Sequence, residues 1–296
     1  MRVFVTGATG FIGSAIIREL LGAGHQVLGL ARLDEAAASL TAAGAEVHRG
    51  ALEDLDSLRG GAAASDGVIH TAFIRDFSDY AGAAQTDRRA IQAIGEALTR
   101  SDRPFVVTAG TASLTPGRVV TEEDGPDPGS GLPRVSEETA LSFAARGIRV
   151  SVVRLPPSVH GEGDHGLVPR LISIARTRGG SAYPGDGSNR WPAVHRLDAA
   201  QLFRLALEKA PAGTRLHGVD DEDVPVRDIA EVIGRHVKLP VTAISREEVD
   251  GHFGWIGTFF SLDVPASSAL TQKQLDWHPV QPGLIPDLDE GHYFND

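Results

Sequence analysis

Val3-Phe4-Val5-Thr6-Gly7-Ala8-Thr9-Gly10-Phe11-Ile12-Gly13 takes the chain from an apolar strand through a glycine turn into a helix. The unbroken apolar run suits a strand buried on both faces of a parallel sheet. Gly7 permits the tight turn, Gly10 lets the backbone approach a pyrophosphate, and Gly13 lets the helix lie close to the sheet. The helix that follows offers unpaired N–H groups and a positive dipole end to phosphate oxygens. With the amphipathic stretch 12–21 behind it, the turn reads as dinucleotide-binding rather than as plain structure.

Outward from this turn, short apolar runs alternate with helical patterns. Strands are expected at Arg2–Thr6, Gln26–Ala31, 46–48, 68–71, 105–108 and Arg149–Leu155. Helices are expected at 12–21, 35–43, 55–58, 86–100 and 137–145. Six strands with intervening helices predict an α/β fold, a Rossmann-type doubly wound parallel sheet over residues 1–155. After Leu155 the pattern breaks at Pro156-Pro157, at the glycine loop 161–166 and at 179–189. Helices recur at 168–178, 198–208, 226–236 and 246–253, so residues 156–296 are expected to form a smaller, mostly helical C-terminal cap. That cap region would be interwoven with the first domain and bind substrate, and 279–296 would pack as a tail.

The 296 residues can bury a sizeable core, and 42% apolar with 23% charged residues is ordinary for a soluble globular chain. A net charge of −11 with no basic cluster argues against nucleic acid. The sequence has no cysteine, which excludes disulfides, a thiolate nucleophile and Cys-ligated metal. The longest uncharged run, 3–17, is glycine-broken and too short to span a bilayer. The chain enters a strand directly, with no charged-then-apolar leader, so no membrane association and a cytoplasmic location are expected.

Ligands in such sheets gather at the carboxyl ends of the strands. Cofactor contacts are therefore expected from Gly7, Thr9, Gly10, Phe11, Ile12, Gly13, Arg32, Leu52, Thr71, Ala72, Phe73, Thr108, Pro156 and Ser158. The second strand ends at Arg32, where an NAD site usually places an acid. A guanidinium suits a 2′-phosphate and stacks on adenine, so NADP is favoured over NAD. Asp34 and Glu35 follow closely and are read as complementing the dipole of the next helix.

Four pieces in this order resemble the extended short-chain dehydrogenase/reductase superfamily, in an atypical, epimerase/dehydratase-like form. They are residues 6–13, Asp66-Gly67-Val68-Ile69-His70-Thr71-Ala72, residues 152–161, and residues 191–200. The resemblance implies that the second piece borders the adenosine and nicotinamide ribose, and that the third touches the nicotinamide. It also implies a homodimer packed through helices flanking the fourth and fifth strands. That family works through a Tyr-x-x-x-Lys pair, in which lysine lowers the tyrosine pKa and holds the ribose. Here Arg134 stands at the tyrosine position and Glu138 at the lysine position. Lysine occurs only at 209, 238 and 273, so no realignment within the nucleotide domain restores the pair. The family's serine position falls near Gly110, between Thr108 and Thr111, and its adenine-contacting acid is replaced by Ala51, with Glu53 or Asp54 as substitutes.

Four side chains are candidates for the chemistry. Thr108 and Thr111 offer hydroxyls beside the expected nicotinamide, or alternatively bond the loop backbone or ribose. Arg134 would clamp a carboxylate or phosphate, or stabilise an alkoxide, or else pair with Glu137 or Glu138. Tyr80 would replace the missing acid, or form a pocket wall with Phe73 and Phe77. His160, Asp164 and His165 lack rigid metal-ligand spacing, so no metal is expected. His195 and Asp198 are read as hydrogen-bonding core and helix cap. Phe253, Trp255, Phe259 and Phe260 either line an apolar pocket or pack on the sheet.

Together these residues suggest an NADPH-dependent reductase of a small, apolar ketone or aldehyde. The missing lysine leaves a non-catalytic NADP-binding sensor or scaffold as an alternative. A sugar-nucleotide epimerase or dehydratase is a third reading, although such enzymes depend on the absent Tyr–Lys pair.

Overall fold

The apolar runs pair as parallel strands: β1 (Arg2–Thr6), β2 (Gln26–Ala31), β3 (Glu46–Arg49), β4 (Gly67–His70), β5 (Pro104–Gly110) and β6 (Arg149–Leu155). The computed structural model describes residues 1–74, 79–127, 129 and 133–295. Beyond β6 come β7 (Ser158–His160), β8 (Ser181–Pro184), β9 (Arg190–His195) and β10 (Thr214–His217). The last of these returns to pair with β6, giving a seven-stranded sheet in the order β10-β6-β5-β4-β1-β2-β3. Only six of these strands are expected from sequence, because β10 carries Arg215 and His217 within four residues and shows no apolar run. The chain reverses direction across the sheet between β1 and β4, the crevice where such folds hold ligands.

One face of the sheet is covered by α1 (Phe11–Gly22) and α2 (Asp34–Ala42), and the other by α3 (Leu55–Ala63), α4 (Tyr80–Leu98) and α5 (Ser136–Leu141). After α6 (Leu167–Arg178), helix α7 (Arg196–Lys209) crosses back to pack on α1, so the chain beyond residue 156 completes the sheet layers. The cap core gathers α6, α8 (Val226–Val237), α9 (Val249–Phe253), α10 (Ile256–Phe260) and, after α11 (Ala269–Leu275), α12 (Leu284–Asp289) around Trp191. It also contains short strands: β9 pairs with β7 and β11 (Asp221–Pro225), and β8 pairs with β12 (Val241–Ile244). No described helix is long and apolar enough to cross a membrane.

Helix α4 starts earlier than expected, whereas α3 starts at Leu55 as expected and ends later. Asp79 accepts from the Gly82 N–H at 2.9 Å and begins α4 at Tyr80 rather than 86. Asp54 accepts from the Ser57 N–H at 3.0 Å and starts α3, which runs on to Ala63 through two glycines. Aspartate caps of this kind satisfy orphan N–H groups, so they mark helix starts ahead of the apolar stripe. Helix α5 ends at Leu141, short of the expected 145, where a 3-10 turn over Ala144–Arg146 leads to Gly147 at φ 74°.

A buried ion group locks α5 to the sheet. Arg154, 0% exposed in β6, donates from Nε and Nη2 to Glu137 at 2.7 and 2.6 Å. The Nε of Arg215 on β10 adds a third bond to Glu137 at 2.7 Å. Burial pushes the Glu137 carboxyl up, but the hydrogen bonds and charges of Arg154 and Arg215 bring it below the ordinary value. The stability it contributes is therefore complete above the unfolded glutamate pKa and is lost as pH falls through the depressed folded value. Arg154→Met leaves this buried carboxylate short of its main partner and is expected to cost about 3–5 kcal/mol, read by urea unfolding. A change under about 1 kcal/mol would contradict this account of α5.

Candidate active site

Two cavities open at the carboxyl ends of the strands. The first, of about 460 Å³, is a cleft at the glycine turn. Gly7 has φ 70°, and a Cβ there would lie 2.6 Å from Thr71 Oγ1 and 2.7 Å from Ala72 N. A Cβ on Gly13 would lie 2.0 Å from the Gly7 carbonyl oxygen, so these two glycines are required by the fold itself. A Cβ on Gly10 meets only that carbonyl, at 3.2 Å, and otherwise enters the cleft. Helix α1 has no side-chain cap and no acidic residue in its first turn, which leaves its N–H groups for a phosphate. This open cradle fits a dinucleotide pyrophosphate.

Nine of the expected cofactor residues line this cleft: Gly7, Thr9, Gly10, Phe11, Arg32, Leu52, Thr71, Ala72 and Phe73. Ile12 and Gly13 lie behind it in α1. Glu53 lines the cleft too, whereas Asp54 is occupied as the α3 cap. Arg32 is exposed and has no hydrogen-bond or ion-pair partner among the described residues. The neighbouring Asp34 is bound by Arg49 at 2.5 Å, and Asp34 and Glu35 form the acidic first turn of α2. His165 and Arg196 close on the cleft through Phe11, one edge-on at 5.8 Å and the other with its guanidinium 4.4 Å from the ring centre.

The second cavity, of about 230 Å³, lies past Phe73. Its sheet side is formed by Ala109, Gly110, Leu155, Pro156 and Pro157, and its cap side by Leu167, Trp255, Phe259, Leu262 and Val264. The aromatic cluster of the cap is thus divided: Trp255 and Phe259 face the cavity, while Phe253 and Phe260 pack in the cap core. Polar groups on the wall come from Tyr80, Ser113, Arg134, Ser136, Glu137 and Glu138.

Arg134 is held on three sides. Its Nε donates to Ser136 Oγ at 2.8 Å, one Nη donates to the Thr108 carbonyl at 3.0 Å, and the guanidinium carbon sits 4.3 Å from the centre of the Phe73 ring. Neither Glu137 nor Glu138 pairs with it; its nearest carboxylate is Asp87, at 3.8 Å. Phe73 therefore separates the two cavities and touches both the cleft and the guanidinium. The Tyr80 ring packs against Phe73 at 5.6 Å; burial pushes its phenol up, Arg134 opposes that, and Asp87 adds to it, leaving the pKa above 10.0. The phenol stays protonated at neutral pH. Phe77 lies outside the described residues.

Thr108 and Thr111 sit elsewhere. The Thr108 hydroxyl donates to the His70 carbonyl at 3.0 Å, and Thr111 is fully buried off both cavities. Ser158 is buried at the start of β7 and lines neither cavity, whereas Pro156 lines the second. His160 is held by Asp287 at 2.7 Å, and the Gly161 N–H donates to Tyr293 Oη at 2.8 Å. These contacts fasten the tail to the glycine loop. His195 caps α7 by accepting from the Leu197 N–H, and Asp198 accepts from the N–H groups of Val280 and Gln281.

Three residues of the site escape the sequence reading. Ser136 resembles an ordinary residue at a helix start. Ser113 lies in a 3-10 turn and reaches the cavity wall only because β5 ends at Gly110. Asp87 leaves a visible signal: it falls in step with Ala83, Ala84, Ala90, Ile91 and Ile94, a carboxylate on the apolar face of α4.

A family model described as the NAD dependent epimerase/dehydratase family matches residues 3–217. An uncharacterized protein of Schizosaccharomyces pombe is 51% identical over 99% of this chain and 100% of its own length. A 2-alkyl-3-oxoalkanoate reductase of Stenotrophomonas maltophilia is 30% identical, covering 81% of this chain and 77% of that protein. In fold, the chain is similar to a dTDP-glucose 4,6-dehydratase of Streptomyces venezuelae crystallised with NAD and TYD, at a TM-score of 0.79 and 19% identity, covering 99% and 96% of the two chains.

Proposed function

The chain belongs to the NAD dependent epimerase/dehydratase family, and from that premise we propose that it is an NADPH-dependent reductase of a neutral, largely apolar ketone or aldehyde. The observation that carries this reading is the fixed Arg134 guanidinium in an apolar cavity, one aromatic ring away from a dinucleotide cradle. When bound, the reduced nicotinamide supplies a hydride to a carbonyl carbon. Arg134 binds the carbonyl oxygen and stabilises the charge that grows there. Tyr80 keeps its proton at neutral pH and passes it from Oη to the alkoxide oxygen, giving the alcohol and a phenolate that water reprotonates. Trp255, Phe259, Leu262 and Val264 exclude water and orient the apolar body of the substrate.

An apolar wall is poorly matched to a polyhydroxylated sugar, whose hydroxyls would be buried without partners. That favours a ketone over a sugar nucleotide. The likeness to a 2-alkyl-3-oxoalkanoate reductase supports a ketone as the reacting group, although an oxoalkanoate also bears a carboxylate, and the neutral charge rests on the cavity alone. The test is a panel of neutral 3-oxo esters, alkyl ketones and aldehydes, followed by NADPH oxidation. Turnover of at least one class is expected, and absence of oxidation above background with every class would overturn the reading.

The preference for NADPH rests on Arg32, which is open to solvent while Asp34 is paired with Arg49 at the surface. A charge-assisted contact to the 2′-phosphate is worth about 1.5–3 kcal/mol, or roughly 10–100-fold. Arg32→Glu is expected to lower the NADPH-to-NADH ratio of kcat/KM by at least that factor. An unchanged ratio would remove Arg32 from cofactor choice.

A further inference from the structure

Behind Arg134 runs a line of buried polar groups. The Ala72 N–H reaches Thr6 Oγ1 at 3.4 Å, Thr6 Oγ1 lies 2.8 Å from His70 Nδ1, and His70 Nε2 lies 3.1 Å from Asp87 Oδ1. The second oxygen of Asp87 accepts from the Ser136 hydroxyl, whose own oxygen accepts from Arg134 Nε. The directions are mutually consistent. A carboxylate only accepts, so both His70 Nε2 and the Ser136 hydroxyl donate to Asp87. Thr6, His70, Asp87 and Ser136 are all at least 98% buried. Of the four, only Ser136 reaches a cavity wall.

A carboxylate on the buried face of α4 is costly to fold. An apolar residue beside Ala83, Ala90 and Ile91 would serve packing better. The Asp87 carboxyl nevertheless stays ionised. Burial pushes it up, but the bond and charge of His70, then Arg134 and Ser136, bring it below its ordinary value. Its charge lies 3.8 Å from the Arg134 guanidinium. Asp87 itself lies behind the wall; of the two carboxylates that line the cavity, Glu137 is bound by Arg154 and Arg215 and Glu138 is exposed to solvent.

We propose that Asp87 is a positioning residue that aims Arg134 through Ser136 and offsets its charge, so that the cavity takes a neutral carbonyl compound in preference to a free carboxylate. This rests on the reductase reading. With Arg134 counterbalanced, a carboxylate substrate would enter a site with no net positive charge to offset its desolvation. A neutral carbonyl oxygen gains a hydrogen bond and carries negative charge only as the reaction proceeds. Thr6, directly before the glycine turn, anchors the far end of the line, so that the cofactor cradle and the guanidinium share one rigid support.

Two variants separate aim from charge. Asp87→Asn removes the charge, and Ser136→Ala removes the hydroxyl that accepts from Arg134 Nε and donates to Asp87 while leaving the Asp87 charge in place. The first readout needs no turnover: proton exchange at arginine Nε, followed by NMR on the cofactor-free protein, with the Arg134 signal assigned by its loss in Arg134→Lys. Slow exchange is expected in the wild type and faster exchange in both variants. Unchanged exchange in Asp87→Asn and Ser136→Ala would overturn the positioning role even in a protein that turned over no ketone.

The second readout is kcat/KM for a 3-oxo ester against the matching 3-oxo acid. Both variants are expected to lose roughly the 10–100-fold that removal of an orienting partner costs with the ester. Only Asp87→Asn is expected to shift the ester-to-acid ratio toward the acid. A ratio that stays constant in folded Asp87→Asn, or moves equally in Ser136→Ala, would overturn the charge-offset role. A wild-type enzyme inactive on every ketone would instead count against the reductase reading, leaving the exchange result to decide the positioning role.

Discussion

Arg134→Ala is expected to lower kcat/KM for ketone reduction by about 10²–10³-fold, the loss seen when one donor to a developing oxyanion is removed. The expectation follows from how the side chain is held. Ser136, the Thr108 carbonyl and the Phe73 ring fix three sides of the guanidinium, leaving its remaining Nη without a protein acceptor among the described residues. A donor pre-set in this way loses nothing to reorganisation when charge appears on the substrate oxygen, so the loss should fall mainly on kcat. Arg134→Lys keeps the charge but not the planar fork that spans Ser136 and Thr108. It should recover only part of the rate. NADPH affinity, measured by titration, should change little in either variant, because Arg134 lines the second cavity and not the cleft. Full activity in Arg134→Ala would transfer the role to another group on the wall.

Gly13→Ala and Gly10→Ala should fail in different ways. At Gly13 the new Cβ would stand 2.0 Å from the Gly7 carbonyl oxygen, a backbone atom in a turn that cannot move without opening the cradle. The expected cost is at or above ~3 kcal/mol, the upper end of the range typical for overpacking, with NADPH binding lost as well. At Gly10 the new Cβ needs only a few tenths of an ångström from the same carbonyl and then points into the cleft. That variant should unfold near the wild-type urea midpoint and still bind NADPH at least 10-fold more weakly, since the pyrophosphate must approach the backbone there. Calorimetric titration and urea unfolding on the same samples distinguish the two. Equal destabilisation by both variants would contradict the assignment of Gly10 to the ligand and Gly13 to the fold.

The glycine turn and the β-strands were legible because their signals are local. Residues 3–13 carry a strand, a turn and a helix start within reach of one another, and buried parallel strands announce themselves as apolar runs. What was not legible depends on long-range pairing. Strand β10 joins the sheet through its partner β6, although Arg215 and His217 break its apolar pattern. The short strands of the cap are equally faint, since β12 is half to fully exposed and β11 carries three acids. The start of α4 at Tyr80 precedes the expected one because apolar periodicity begins after the Asp79 cap, while α3 starts at the expected Leu55 and its end at Ala63 is hidden by Gly60 and Gly61.

At the site, sequence identified Arg134 and Tyr80 as candidates but could not assign their partners. Glu137 and Glu138 are nearer to Arg134 in the chain than Asp87, yet Asp87 is its neighbour in space. Glu137 instead faces Arg154 and Arg215, 17 and 78 residues away. The hydroxyls of Thr108 and Thr111 looked well placed after β5. Strand direction turns the first toward the His70 carbonyl and buries the second, while Ser113 reaches the wall.

The central claim is that a hydride leaves the dinucleotide in the cleft and reaches a carbonyl in the cavity beside Arg134. It is tested most directly with NADPH deuterated on the transferable face of nicotinamide C4, incubated with the protein and a neutral 3-oxo ester, the product being examined by mass spectrometry. One deuterium on the new carbinol carbon is predicted, in amount equal to the NADP⁺ formed and strongly reduced in Arg134→Ala. NADPH that binds to the folded protein and delivers no deuterium to any member of the carbonyl panel would contradict the account.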